Sequence, residues 1–190
     1  MNRFTIFLFI MFIGSITEIS ASNENLKKAR DLFYESIEDE GKIEPAMELF
    51  REIGQKKEYY GRSLAYIGTL YALKGKHSFL PHNKLKWVLK GLDKMDKGIE
   101  KSPNDLEALF IFGATCIHLP FFFNRDDDAE RAFDKIIEML PQKIDNYDTS
   151  LIIYVIDFLQ EKAKLESSQE KILANIKTEL KSDEHRISDF

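Results

Sequence analysis

Apolar residues recur at intervals of three and four through most of this chain, the period of amphipathic helices. Leu26, Ala29, Leu32, Phe33 and Ile37 share one stripe and predict a first helix over residues 23–38, with Gly41 at the turn. Ala46, Phe50 and Ile53 predict a second over 44–54. A third is expected over 59–73, ended by Gly75, with Gly68 where two helices cross closely. A long connection over 76–83, with Pro81 inside, leads to a fourth over 84–101 that turns Trp87, Leu89, Leu92, Met95 and Ile99 inward. Pro103 stops that helix. Asn104 is expected to cap the fifth, and Glu107 three residues later gives a capping-box-like arrangement. The fifth carries Leu109, Phe112, Gly113 and Cys116 and ends near 118–120. A sixth starts at Asn124 or Asp126, where Asp126, Asp127 and Asp128 suit the positive end of its dipole, and Pro141 closes it. The seventh is placed over 145–165 with Tyr147, Leu151, Tyr154, Val155 and Phe158. The eighth is placed over 168–180 with Ile172, Leu173, Ile176 and Leu180, and its outer face is polar. Residues 181–190 are expected to fray, with 186–190 a flexible tail.

Two of these helix pairs share their internal spacing. Leu64, Ile67, Gly68 and Tyr71, then Gly91, Met95, Gly98 and Pro103, match Leu109, Phe112, Gly113 and Cys116, then Ala129, Phe133, Ile136 and Pro141. Within each half the gaps agree residue for residue. The order of large apolar, small and aromatic residues with a closing proline resembles the tetratricopeptide repeat (TPR), specifically over residues 64–141. Ala46, Phe50 and Ile53 repeat the spacing of Ala129, Phe133 and Ile136, so the first two helices read as a divergent first repeat. The resemblance implies an all-α fold, a short TPR-like solenoid of antiparallel helix pairs with about eight helices, occupying residues 23–185. A TPR unit is about 34 residues. Here Gly68 to Gly113 is 45 residues and Gly91 to Ala129 is 38. The excess is assigned to the connections at 76–83 and 120–125, which emerge on one edge in a stacked array.

In TPR proteins the first helix of each unit lines a groove that holds a peptide or protein segment. By resemblance, that groove would be lined here by Arg62, Ala65, Thr69 and Ala72 in one unit and by Glu107, Phe110, Ala114 and Ile117 in the next. Its mostly apolar floor suits an apolar or amphipathic segment. Burial of Phe110 and Ile117 under the carboxyl-terminal helices is the other arrangement open to so short an array. The connections hold a second candidate. Phe79, Leu80, Phe121, Phe122 and Trp87 either pack together and close the edge of a small core, as aromatic residues at helix junctions usually do, or form an exposed patch for a partner or a lipid surface. Arg125 belongs to that edge, and an ion pair across the start of the sixth helix is its expected role.

The first 22 residues change the setting. Arg3, the apolar run over residues 4–13 and the small residues Ser20, Ala21 and Ser22 have the form of a secretory signal peptide. The run is shorter than the ~20 residues a membrane span needs. The protein is therefore expected to be exported, periplasmic or extracellular, touching a membrane only through this segment if it is uncleaved.

Composition narrows the chemistry. The chain has 190 residues, 44% of them hydrophobic, and a net charge of −5. That is a globular balance that argues against nucleic acid as a partner. A lone cysteine, Cys116, excludes an intrachain disulfide and removes the usual zinc frameworks. His77, His82 and His118 with the three aspartates match no metal-binding spacing, and helix capping accounts for the aspartates. No phosphate loop, metalloprotease helix or nucleophile elbow is present. The expected function is non-enzymatic and without a cofactor: binding or scaffolding of a protein or peptide in the cell envelope. The alternative is a solute-binding accessory component of an envelope transport system.

Overall fold

The computed structural model describes residues 24–188, with side chains described through residue 182. The proposed signal segment lies outside the described residues. Among the described residues there are eight α-helices and no strand: α1 (residues 24–35), α2 (Ile43–Ile53), α3 (Tyr60–His77), α4 (Pro81–Lys101), α5 (Leu106–Ile117), α6 (Asp126–Lys143), α7 (Thr149–Lys162) and α8 (Ser167–Ser188). They divide into two compact units between Ser102 and Pro103, within the stretch 23–185 read from sequence as one domain.

The first unit is built on α3. On α2, Ile43, Ala46, Met47, Phe50 and Ile53 form one buried stripe, and Phe50 stacks on the wholly buried Tyr66 of α3 with ring centres 4.2 Å apart. Phe33 of α1 meets the same ring edge-on at 4.9 Å. The end of α1 leaves carbonyls without helical partners, and the end of α3 supplies side-chain donors to them. Lys76 Nζ donates to the Ile37 carbonyl (2.6 Å) and pairs with Glu38 (3.0 Å). His77 Nε2 lies 3.1 Å from the Ser36 carbonyl. A carbonyl only accepts, so that nitrogen carries the proton.

The other face of α3 meets α4 through glycine. A Cβ built on Gly68 would lie 2.6 Å from the Gly91 carbonyl oxygen, and one on Gly91 would lie 2.5 Å from the Gly68 oxygen. Gly61 and Gly98 stand in the same reciprocal relation at 2.6 and 2.7 Å. At the far end, a Cβ on Gly75 would meet Val88 at 2.9 Å and the Lys84 oxygen at 3.0 Å. Because 61 faces 98 and 75 faces 84–88, the two helices are antiparallel, and no side chain fits between their backbones. Glycine costs about 1 kcal/mol against alanine in a helix, and the contact area gained by this approach offsets it.

The second unit is built on α5, whose residues are buried from Leu106 through Gly113 and again at Cys116. Asp105 caps it by accepting from Ala108 N (2.8 Å), and Tyr147 Oη accepts from Leu106 N (3.0 Å). Gly113 packs on α6, where an added Cβ would lie 2.6 Å from Phe133 Cε1. On α7, Phe158 meets Phe110 at 5.2 Å and Phe133 at 6.0 Å, both edge-on. The last helix buries Leu173 and Ile176. It reaches α6 through Gln169 to Asp134 (2.8 Å) and α7 through the Lys177–Asp157 ion pair.

Several expected boundaries shift. Gly75 does not end α3; it lies inside the helix as a packing position. Pro81 is not in a loop but opens α4, where its missing N–H costs nothing. The connection 76–83 thus shrinks to residues 78–80, and the extra length of this pair is helix. Leu89 is exposed rather than inward. The cap of α5 is Asp105, not Asn104, and Glu107 is wholly buried instead of completing a capping box. Pro141 sits in the last turn of α6, which continues to Lys143. Tyr147 precedes α7, and the helix of residues 167–188 extends well into the segment expected to fray.

Candidate binding surfaces at the hairpin tips

The residues expected to line a groove are largely core. Ala65 is fully buried, and its amide nitrogen would lie 2.9 Å from a Cβ on Gly98. Thr69 is buried, its hydroxyl 3.2 Å from the Ala65 carbonyl and 3.3 Å from Met95 Sδ. Both face α4, their own hairpin partner. Phe110 is 2% exposed. Tyr154 and Phe158 of α7 cover it at 5.7 and 5.2 Å. Glu107 is buried beside it on α5. Arg62, Ala72, Ala114 and Ile117 are half-buried, and Arg62 lies over the Tyr59 ring at 5.4 Å. A groove reading required solvent at Ala65, Thr69, Glu107 and Phe110, and helix packing fills those positions.

The edge residues behave oppositely. Phe79 is 93% exposed, Phe121 85% and Phe122 65%, and Leu80 is exposed as well. In the second unit, Phe121–Phe123 is a single 3-10 turn between α5 and α6. Asn124 follows it in the left-handed region, φ 53°, which asparagine tolerates better than most residues. Arg125 pairs with Asp128 at 2.7 Å across the start of α6, the ion pair expected of it, and Asp128 also pairs with Arg131. Asp126 and Asp127 are exposed. The α5–α6 tip therefore presents aromatic rings above an acidic helix start.

In the first unit, Trp87 does not join Phe79 and Leu80. It stacks on Tyr71 across the α3–α4 hairpin, with ring centres 5.7 Å apart and planes 5° from parallel. Lysines gather on these rings. Lys90 Nζ is 4.1 Å from the Tyr71 centre and 5.3 Å from that of Trp87, Lys74 is 5.2 Å from Trp87, and Lys86 is 5.7 Å from it. Such cation–ring contacts are favourable. Glu44 of α2 is the carboxylate of this cluster. It pairs with Lys74 and lies 3.8 Å from Arg51. The hydrogen bond from Lys74 is the main cause that holds its carboxyl below the usual glutamate value; burial works against this, and Arg51 and Lys90 add to it. Burial pushes the Tyr71 phenol up, but Lys90 and Arg51 outweigh it and the net shift is downward. Four cations, Lys74, Lys86, Lys90 and Arg51, to one carboxylate leave this cluster positive.

The signal for this cluster lies in charge order. Between Glu58 and Asp93 there is no acidic residue, while Arg62, Lys74, Lys76, Lys84, Lys86 and Lys90 all fall there. The whole-chain value of −5 conceals that stretch. Among the described residues, no group of three His, Cys, Asp or Glu side chains is placed to hold a metal ion, and no helix is long and apolar enough to cross a membrane.

These two four-helix units define an all-α protein of packed helix pairs. No family model, curated protein or solved structure matches the chain.

Proposed function

We propose that this is an exported, non-enzymatic binding or scaffold protein, with a helical-repeat fold related to the TPR, that holds a protein or peptide segment at a hairpin tip. The observation that carries the reading is the exposure of Phe121 and Phe122 on a short, fixed turn. Side chains of that size are usually covered by something. Exposed Asp126 and Asp127 beside them favour a segment with both apolar and basic residues. Because Ala65, Thr69, Glu107 and Phe110 are buried, this reading takes the tip rather than the groove as the binding surface.

The test is crosslinking in intact cells followed by capture of the chain, comparing wild type with a Phe121→Ser/Phe122→Ser variant. A recurrent partner captured by wild type and lost with the variant supports the reading, provided the variant melts at the wild-type temperature. Equal capture by both chains contradicts it.

A further inference from the structure

We propose that the tip of the α3–α4 hairpin docks this protein onto an anionic lipid surface, whatever the α5–α6 tip binds. Three observations meet at this tip. The first is apolar projection. Phe79 is 93% exposed, and Leu80, Leu85 and Leu89 are exposed beside it. Leu85 and Leu89 are one helical turn apart on α4. Phe79, Leu80, Pro81 and His82 are exposed in succession, so the apolar group projects as a wedge. A lipid interface accommodates a wedge without a complementary pocket, whereas a folded partner must supply one.

The second is charge. Lys84, Lys86 and Lys90 are exposed on the same helix. Lys74 and Lys76 lie near the end of α3, where Glu44 and Glu38 pair with them. With no acidic residue from 59 to 92, the rest of the chain is more acidic than −5. An anionic surface therefore attracts this hairpin and repels the remainder, which sets the orientation. The α5–α6 tip exposes two phenylalanines to the one at this tip, but its exposed Asp126 and Asp127 are disfavoured at such a surface.

The third is the backbone. Unbonded main-chain groups are excluded from the hydrocarbon region, so a tip that carries few of them enters a lipid interface more readily. The connection spans only residues 78–80, and Pro81 has no N–H. Asn83 N and Lys84 N donate to the Leu80 carbonyl at 3.0 and 3.1 Å, and Ser78 N donates to the Lys74 carbonyl at 3.0 Å. Near the tip, Trp87 and Tyr71 add amphipathic rings of the kind enriched at membrane–water interfaces.

Trp87 is the only tryptophan in the chain, so its fluorescence reports on this hairpin alone and is blind to any insertion of residues 1–22. The probes are vesicles of phosphatidylcholine, with and without a minority of phosphatidylglycerol. The expected result is a blue shift of Trp87 emission and protection from a soluble quencher only with phosphatidylglycerol, reversed by high salt. Two variants should lose it: Phe79→Ser/Leu80→Ser, which changes exposed residues and should melt as wild type, and Lys84→Gln/Lys86→Gln/Lys90→Gln. Affinity should fall about fivefold for each lysine removed. No phosphatidylglycerol-dependent change in Trp87 overturns the proposal. So does binding that persists unchanged in both variants, or a surface that captures an acidic protein while ignoring the vesicles. The Phe121→Ser/Phe122→Ser variant should dock as wild type does, which separates this proposal from the protein-binding one.

Discussion

The hairpins α3–α4 and α5–α6 carry the same spacing of key residues but are closed by different physics. In α3–α4 the crossing is backbone on backbone, Gly68 against Gly91 and Gly61 against Gly98. In α5–α6 the matched positions are Gly113 and Ala129, and the contact is made by the Phe133 ring. The first pair zips along 18- and 21-residue helices joined by three residues. The second has a 12-residue α5 and reaches α6 through the Phe121–Phe123 turn. Their tips differ in the same way: one lysine-rich with leucines along a helix, the other acidic with phenylalanines on a turn. A shared spacing thus marks where two helices cross, while the residues at the crossing decide how closely they approach and those beyond it decide what each hairpin offers to solvent.

Substitutions at matched positions separate the two hairpins. The largest effect should come from Phe110→Ala. Phe110 corresponds to Ala65, yet it is sealed by α7, so truncation should cost about 3–5 kcal/mol of stability in urea denaturation. A cost near zero would restore the open groove. Next come the glycines. Gly68→Ala places a methyl against the Gly91 carbonyl and Met95 N, at 2.6 and 2.8 Å. Backbone atoms cannot step aside, so overpacking should exceed the helix-propensity gain and leave a net loss of about 2 kcal/mol. For Gly113→Ala the three nearest atoms all belong to the Phe133 ring, a side chain rather than backbone, so the change should cost less than Gly68→Ala, about 1 kcal/mol or below. Equal costs in the two variants would erase the distinction drawn between the crossings.

Smaller effects test the supports. Asp105 caps α5 by its side chain, while neither α3 nor α4 has a side-chain cap. Asp105→Ala should therefore destabilise the second unit by about 1 kcal/mol in thermal unfolding. Glu44 gives the smallest effect. Its folded pKa lies below the ordinary 4.5, first because of the Lys74 hydrogen bond. Its stabilisation is thus present above that value and is lost as pH falls through the lowered folded value. The Glu44 side chain is more than half exposed, so Glu44→Gln should remove only a few tenths of a kcal/mol from the acid limb of the stability curve. An unchanged acid limb would mean that the Lys74 pair adds nothing.

Much of this architecture was legible. Gly68 reads from sequence as a close crossing point, and its Cβ position does fall against the Gly91 carbonyl and Met95 of the neighbouring helix, because a small residue at a crossing leaves a periodic mark in sequence. Helix lengths were harder. Gly75 and Pro81 are breakers by propensity, but Gly75 is inside α3 as a contact for Val88, and Pro81 stands at the one helical position that suits it. Pro141 similarly falls in a last turn. The groove was misplaced for a tertiary reason. Which face of α3 or α5 stays open depends on what packs there, and neither the turn of Thr69 toward Met95 nor the arrival of Phe158 over Phe110 leaves a local signal. Exposure of Phe79 and Phe121 was equally hidden, since apolar residues between helices read as core until the packing is known. The basic stretch between Glu58 and Asp93 was visible in sequence and was masked by averaging charge over the whole chain.

The account's central claim is that the matched inner faces are filled and the hairpin tips are open. Hydroxyl-radical footprinting of the intact chain, read residue by residue by mass spectrometry, tests it most directly. Phe79, Phe121 and Phe122 should oxidise rapidly, while Tyr66 and Phe110 stay protected until the protein is denatured. Oxidation of Phe110 as fast as Phe121, or protection of Phe79 and Phe121 in the isolated chain, would contradict the account.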